Sequence, residues 1–331
     1  MKKTLILNLF LVPFLALSQL TLTWSDEFNG PGLDLTKWKF DIGQGNWGWG
    51  NNELQYYTNS ISNVNIDTGY LRITAKNESF GPANYTSARI KTKDLFEFKY
   101  GRVEARMKVP YGQGLWPALW MLGANIDAVG WPNCGEIDIM EHINNETVIH
   151  GTHHYHSNGH LYAGGSAACD AATFQVYSIE WTPNYIKWFL NDVLYYETNI
   201  SASAVSKEEF HEPFFFLINL AVGVLWPGYQ NSTTPFPSSL YVDYIRVYQD
   251  VTLVDEISES TLNIYPNPAS DMVFIQTDKP IITYALYNLQ GELIRSGNEN
   301  QIKINDLAKG AYWVEVETEG THLHKKRLLI Q

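Results

Sequence analysis

Cysteine is nearly missing from this chain: there are two in 331 residues, Cys134 and Cys169, and no Cys-x-x-Cys pair. That excludes a disulfide-built scaffold and a cysteine zinc ribbon. Basic side chains are scarce too, Lys+Arg 23 against Asp+Glu 35, for a formal net charge of −12. Residues 19–260 carry 14 basic and 27 acidic side chains, a net of −13. A nucleic-acid binder needs a basic footprint to neutralise phosphates, and a peripheral protein needs one to hold anionic lipid, so the balance argues against both. Long apolar runs are lacking as well: the longest, Leu5 to Leu17, falls short of the ~20 residues a spanning helix needs. What the chain has in quantity is aromatic rings. Its 11 Trp and 20 Tyr, within a composition that is 45% hydrophobic, make it globular and supply flat apolar faces with polar rims, which suit a neutral, stacking ligand.

The length suits one large domain and a small one. Lys2 and Lys3, the apolar run Leu5–Leu17 and the small residues Ala16-Leu17-Ser18 read as a signal peptide at 1–18, cut after Ser18. Export permits a Cys134–Cys169 disulfide; two free buried thiols are the equal alternative. Residues 250–260 hold four acids and no aromatic ring and read as a linker. Beyond it, short alternating runs punctuated by Pro, Asn and Gly fit a small β-sandwich at 261–331.

Between these, residues 19–249 read as strand after strand. Arg102 to Val109 alternates polar and apolar residues, the period of a half-buried strand, and Tyr70 to Ala75 does the same after the Asp67-Thr-Gly69 turn. Ile186–Leu190 and Val193–Tyr196 flank Asn191-Asp192, a two-residue hairpin signal. Only Ala202 to Phe210 reads as helix. The fold class is all-β, an antiparallel sandwich.

The chemistry concentrates in Glu136-Ile-Asp-Ile-Met-Glu141. On a regular strand Glu136 and Asp138 share a face and Glu141 points the other way. A β-bulge at Ile139–Met140 would return Glu141 to the acidic face. Three adjacent carboxyls repel one another, which raises at least one pKa, and a protonated acid beside an ionised carboxylate is what glycoside hydrolysis needs. The plainer reading is a solvated acidic strand, against which the strict apolar interleaving argues. Leu115-Trp116-Pro-Ala-Leu-Trp120 and the loop Gly45-Asn-Trp-Gly-Trp-Gly50 add tryptophans around the acids. Each alone is more often a core side chain, but indoles in a Gly-rich loop have little core to enter.

Six blocks in order carry a resemblance: Trp24–Phe28, Gly48–Thr58, Tyr85–Arg89, Tyr100–Arg106, Trp116–Trp120 and Glu136–Glu141. Together they resemble glycoside hydrolase family 16 in its laminarinase branch. The resemblance implies a concanavalin-like β-jelly roll with an open cleft and retaining hydrolysis of internal β-1,3-glucosidic bonds, with mixed-linkage glucan an open alternative. It makes Glu136 the nucleophile, Glu141 the general acid/base and Asp138 the residue that tunes the nucleophile. It aligns Asn51, Arg89, Trp116, Trp120, His154 and Asn219 with sugar-contacting positions, and places a structural calcium on backbone oxygens of Glu27 and Gly69 and on Asp243. No cofactor is implied for catalysis. Trp226 receives no sugar contact, because the chain lacks the Gly-Gly-X-Trp segment expected after Asn219-Leu-Ala-Val222. Residues 262–331, from Leu-Asn-Ile-Tyr-Pro-Asn-Pro268 to Lys325-Lys-Arg-Leu-Leu-Ile-Gln331, resemble the C-terminal sorting domain of the type IX secretion system. The expected partners are thus a β-glucan polysaccharide and the secretion machinery, with no nucleic acid and no transmembrane segment. The enzyme is expected to be monomeric, and secreted or displayed on the cell surface.

Two rivals come from other classes. His150, His153, His154, His156 and His160 crowd one segment and raise a zinc site, although their spacing fits no helix-borne ligand motif. A non-catalytic glucan-binding lectin is the other. Sulfated galactans as substrate would favour a basic cleft, against the net charge of −13 over 19–260.

Overall fold

The computed structural model describes residues 20–201, 207–223, 225–250, 263–277, 280–288, 291–318 and 322–331. The leader at 1–18 and all but the first residue of the 250–260 linker lie outside them. The chain divides into two units, Met1–Asp250 and Val251–Gln331.

In the first unit the alternation of Gly101–Lys108 becomes a sheet with two unlike faces. Val103, Ala105 and Met107 are fully buried, while Arg102, Glu104, Arg106 and Lys108 point outward. That strand lies between Gln175–Trp181 and Ser238–Asp250 in a ten-stranded, mostly antiparallel sheet. The second sheet has seven strands, in the order His160–Ala168, Val148–His156, Glu136–Glu141, Leu115–Gly123, Phe214–Val222, Arg89–Lys91, Lys39–Asp41. Inward side chains of both sheets form one core, in which Val103, Ala105, Met107 and Ile179 join Leu119, Met121, Ile137, Ile149, Ile218 and Leu220. At about 1.5–3 kcal/mol for each buried aliphatic side chain, this layer is the main force holding the sheets together. The result is the expected jelly-roll sandwich.

The hairpin at Asn191-Asp192 forms as expected, with φ of 48° and 64° at the two turn residues, the left-handed pair that a tight turn between twisted strands requires. The helix expected over Ala202–Phe210 is not seen as such. Residues 202–206 lie outside the described set, and the next element is a single 3₁₀ turn, Glu208–His211. It is pinned by fully buried Phe210, whose carbonyl accepts the Trp181 indole N–H at 3.0 Å. Both cysteines are free thiols, so of the two readings the disulfide falls.

The second unit is a small sandwich of a three-stranded sheet (Asn263–Tyr265, Met272–Gln276, Gln301–Lys303) and a four-stranded one (Leu293–Gly297, Ile281–Tyr287, Gly310–Thr318, His322–Ile330). Ile264, Val273, Ile275, Leu286, Ile302, Val314, Val316 and Leu328 form its separate core.

Candidate active site

The strand Glu136–Glu141 carries the extra residue where the phase argument requires it. On one side Asp138 pairs with Trp120, Met140 with Leu119 and Glu141 with Ala118; on the other Asp138 pairs with Thr152 and Glu141 with His150. Each neighbouring strand thus spans with two steps what this strand covers with three. Ile139 and Met140 both enter the core, and Glu141 emerges beside Asp138 and Glu136. The strand is entered through Gly135 at φ 74°, where a Cβ would lie 2.9 Å from both Glu209 Cβ and Phe214 Cζ, so only glycine fits.

The three carboxyls face a cleft of about 820 Å³. Asp138 and Glu141 are buried, and the Glu136 side chain is 17% exposed. Indole N–H groups hold them in place: Trp131 Nε1 donates to Glu136 Oε2 at 2.8 Å, Trp116 Nε1 to Glu141 Oε1 at 2.9 Å, and Trp188 Nε1 to the Asp138 carbonyl at 2.8 Å. His154, opposite Glu136 in register, brings Nε2 to 3.2 Å from Asp138 Oδ2 and 3.8 Å from Glu136 Oε1.

Burial and mutual repulsion set the protonation. Burial, with Asp138 adding to it, pushes Glu136 up to about 8; burial lifts Asp138 to about 7. Glu141 is held well above the usual carboxyl range by burial and by both neighbouring acids. Three carboxyls in one dry pocket cannot all ionise. Burial and the two neighbouring acids favour the protonated form of Glu141, and Glu136 and Asp138, joined by a hydrogen bond, share a proton between them.

Every residue aligned with a sugar-contacting position lines this cleft, but not all have free polar atoms. Asn219 is 6% exposed; its Oδ1 accepts the Trp120 indole N–H at 2.8 Å, and its Nδ2 donates to the Tyr57 hydroxyl at 3.1 Å. Tyr57 passes the chain on to buried Glu53 at 3.0 Å, which Gln55 and Asn51 also reach. Burial raises the Glu53 pKa, and Arg89 opposes the rise. The Arg89 guanidinium lies over the rings of Trp49 and Trp120, 4.7 and 4.8 Å from their centroids, and its Nε is ion-paired with Asp41 Oδ2 at 3.0 Å. Asn219 and Arg89 therefore brace the cleft wall as well as lining it.

The cleft also contains Trp49, from the Gly-rich loop singled out in the sequence, and residues that sequence reasoning missed or withheld: Trp131, His160, Tyr162 and Trp226. Trp226, from which the sequence withheld a sugar contact, is 42% exposed, lines the cleft and packs edge-on against Trp116 at 5.5 Å. Trp131 comes after a short helix in a stretch with no strand periodicity, and only its Trp-Pro-Asn-Cys-Gly turn composition marked it as a loop tip.

The histidines do not converge. His150 bonds Glu146 at 2.7 Å, His153 is buried against Trp188 and Tyr155, and His154 Nδ1 bonds His160 Nε2 at 2.9 Å. On the far sheet, register sets Glu27, Gly69 and Asp243 near one another: Asp26 pairs with Ile245, Val242 with Leu71, and Asp67 with Tyr70. The Glu27 carboxylate is taken by Arg246 at 2.8 and 2.7 Å, and Asp243 Oδ2 by Arg106.

Residues 44–246 match the glycosyl hydrolases family 16, and residues 263–331 match the secretion system C-terminal sorting domain. The beta-glucanase of Rhodothermus marinus is 43% identical over 244 residues, 69% of this chain and 85% of that protein. The clotting factor G alpha subunit of Tachypleus tridentatus is 38% identical over 291 residues, 85% of this chain; the chain spans only 42% of that protein's length. The crystal structure of the laminarinase catalytic domain from Thermotoga maritima superposes with a TM-score of 0.65 at 41% identity, covering 70% of this chain and 98% of that one. With the bulged acidic strand, the indole-held carboxyls and the jelly roll already in view, these matches place the chain in glycosyl hydrolases family 16, joined to a secretion-system sorting domain.

Proposed function

We propose that the protein is a secreted, retaining endo-glycosidase that cuts internal β-1,3-glucosidic bonds of laminarin-type glucans. The observation that carries this is the bulge at Ile139–Met140, which brings a third carboxyl into line with two others, where burial and both neighbours raise its pKa well above the usual carboxyl range. In the first step the Glu136 carboxylate attacks the anomeric carbon while Glu141 gives its proton to the departing glycosidic oxygen. In the second, Glu141 as carboxylate takes a proton from water, the hydroxide so formed displaces Glu136, and both groups return to their starting states. The proton shared by Glu136 and Asp138 must sit on Asp138 for the attack, and the Trp131 N–H, bonded to Glu136, favours that arrangement. The neutral, aromatic walls supplied by Trp49, Trp116, Trp120, Trp131 and Trp226 suit uncharged sugar rings.

The surrounding pieces fit the same reading. Residues 1–18 direct export and are removed, the sorting domain hands the chain to the type IX machinery, and the mature enzyme acts as a monomer outside the cell. Calcium would be held by the backbone oxygens of Glu27 and Gly69 and by Asp243, whose Oδ1 is left over by the Arg106 pair; it would stabilise the fold and take no part in the chemistry. The test is product analysis on laminarin, mixed-linkage β-1,3-1,4-glucan and agarose side by side, with the anomer released followed by proton NMR. Early β-anomer oligosaccharides from laminarin are expected. Binding without cleavage would make the protein a lectin, and early α-anomer would remove the covalent intermediate.

A further inference from the structure

His160 opens the edge strand His160–Ala168, and neither the mechanism above nor the family resemblance gives it work. It is the residue that touches both partners of Glu136. Its ring lies 4.4 Å from that of Trp131, whose N–H holds Glu136 Oε2. Its Nε2 is 2.9 Å from Nδ1 of His154, whose other nitrogen faces Asp138 and Glu136. The two imidazoles are within 12° of parallel, and Tyr162 packs beside both at 5.6 and 5.9 Å.

The His154 contact with Asp138 needs such support. Nε2 lies 3.2 Å from Asp138 Oδ2, yet that oxygen is buried and has no aligned hydrogen bond. The geometry of the approach is thus set from the other side of the ring. The hydrogen bond that Asp138 shares with Glu136 runs through its other oxygen, since Oδ2 has no hydrogen-bond partner, and this leaves Oδ2 an acceptor whichever carboxyl holds the proton; a bare Nε2 lone pair against it would be repulsive, so this nitrogen must carry a proton, and in imidazole the bond made by one nitrogen decides the state of the other.

We propose that His160 is a positioning residue for the hydrolysis: its Nε2, bonded to Nδ1 of His154, holds that ring so that Nε2–H of His154 faces Asp138 and Glu136, and its tilted ring contact holds the Trp131 indole on Glu136. The groups facing His160 are His154 and, beyond it, Asp138 and Glu136 on the neighbouring strands; Tyr162 on its own strand; Trp131 from the loop; and His156 opposite it in register. Burial and the nearby His154 lower its pKa, which suits a neutral imidazole in this role.

This inference rests on the proposed hydrolytic reading, and one arm of its test does not use activity. In histidine-15N-labelled protein, two-bond correlation spectra should show His154 protonated at Nε2 in the wild type, with that single form lost in His160→Phe. Kinetics on a laminarin oligosaccharide supply the other arm. His160→Phe keeps the ring contact with Trp131 but cannot bond His154; kcat should fall about tenfold, the upper end for one neutral intramolecular hydrogen bond, with KM within about twofold. The pH profile should move with it. His160→Gln offers an amide N–H to His154 and should recover most of kcat. His154 unprotonated at Nε2 in the wild type, or equal losses in Phe and Gln with an unmoved pH profile, overturns the proposal. A wild type that shows the Nε2–H form but cuts no glucan overturns the hydrolytic reading and leaves the positioning geometry standing.

Discussion

Deleting Met140 is the sharpest test of how the acid is placed. In the native sheet the bulge sets Ile139 and Met140 against one residue of each neighbour: Leu119 lies between Trp120 and Ala118, and Gly151 between Thr152 and His150. Removing one residue closes the register on both sides at once, with Ile139 facing Leu119 and Gly151 and Glu141 still opposite Ala118 and His150. The cost is a fully buried methionine from the core, about 2–5 kcal/mol by comparison with large-to-small core substitutions. A domain stable by about 5–15 kcal/mol survives that. Glu141 stays on the acidic face but shifts by a fraction of a residue, and about 1 Å of misplacement costs roughly 10²-fold. Inserting an alanine after Met140 does the reverse. It adds ~3.3 Å of strand with no gap to accept it, in a mechanism whose two carboxyls stand only ~5–5.5 Å apart. Reducing-end release from laminarin should therefore be about 10²-fold lower in the deletion and undetectable in the insertion, both folded by circular dichroism. Equal loss in the two would refute placement by strand phase.

Glu136→Gln should abolish turnover of every substrate, whereas Glu141→Gln should still form the glycosyl-enzyme from a dinitrophenyl glycoside, whose leaving group needs no proton; azide should rescue Glu141→Ala to a β-azide, and an α-azide from this variant would reverse the two roles. Because burial raises Glu136 from 4.5 to about 8, the folded state holds a proton that the unfolded state has lost between those values, so this group's contribution makes stability fall as pH rises across that window. Glu136→Gln should accordingly raise Tm relative to the wild type by an amount that grows from pH 5 to pH 8, and a constant Tm difference would count against a raised pKa. Chelation should lower Tm without changing kcat on laminarin at temperatures where the protein remains folded; an unchanged Tm with no copurifying metal would remove the calcium.

What could be read from the chain in advance was whatever depends on period and local turn chemistry. Arg102–Lys108 showed its buried face by alternation, Asn191-Asp192 its hairpin, and Glu136–Glu141 its bulge, because three acids cannot share a strand face at that spacing otherwise. What could not be read was what long-range register decides. Nothing local indicates that Asn219 would turn its amide to Trp120 and Tyr57 across two other segments, or that Arg89 would lie over two indole rings. Nor does any local signal show that Trp226 returns to the cleft wall beside Trp116.

The tryptophans also escape the choice between core residue and sugar platform. Trp116, Trp131 and Trp188 each donate an indole N–H to the acidic strand, and Trp120 donates to Asn219. This gives the scarcity of basic residues a chemical meaning. A lysine or arginine at Glu141 would orient the carboxyl equally well but would stabilise its anion and strip the proton that the leaving group needs. An indole N–H is neutral; it fixes the carboxyl's direction while lowering its pKa far less than burial and the neighbouring acids raise it. The guanidinium that lines the cleft among the described residues, Arg89, is tied to Asp41 and lies over the rings of Trp49 and Trp120, and its field falls on Glu53. Aromatic rings thus serve the acids twice, as donors that leave the proton in place and as the shield that keeps that guanidinium from taking it.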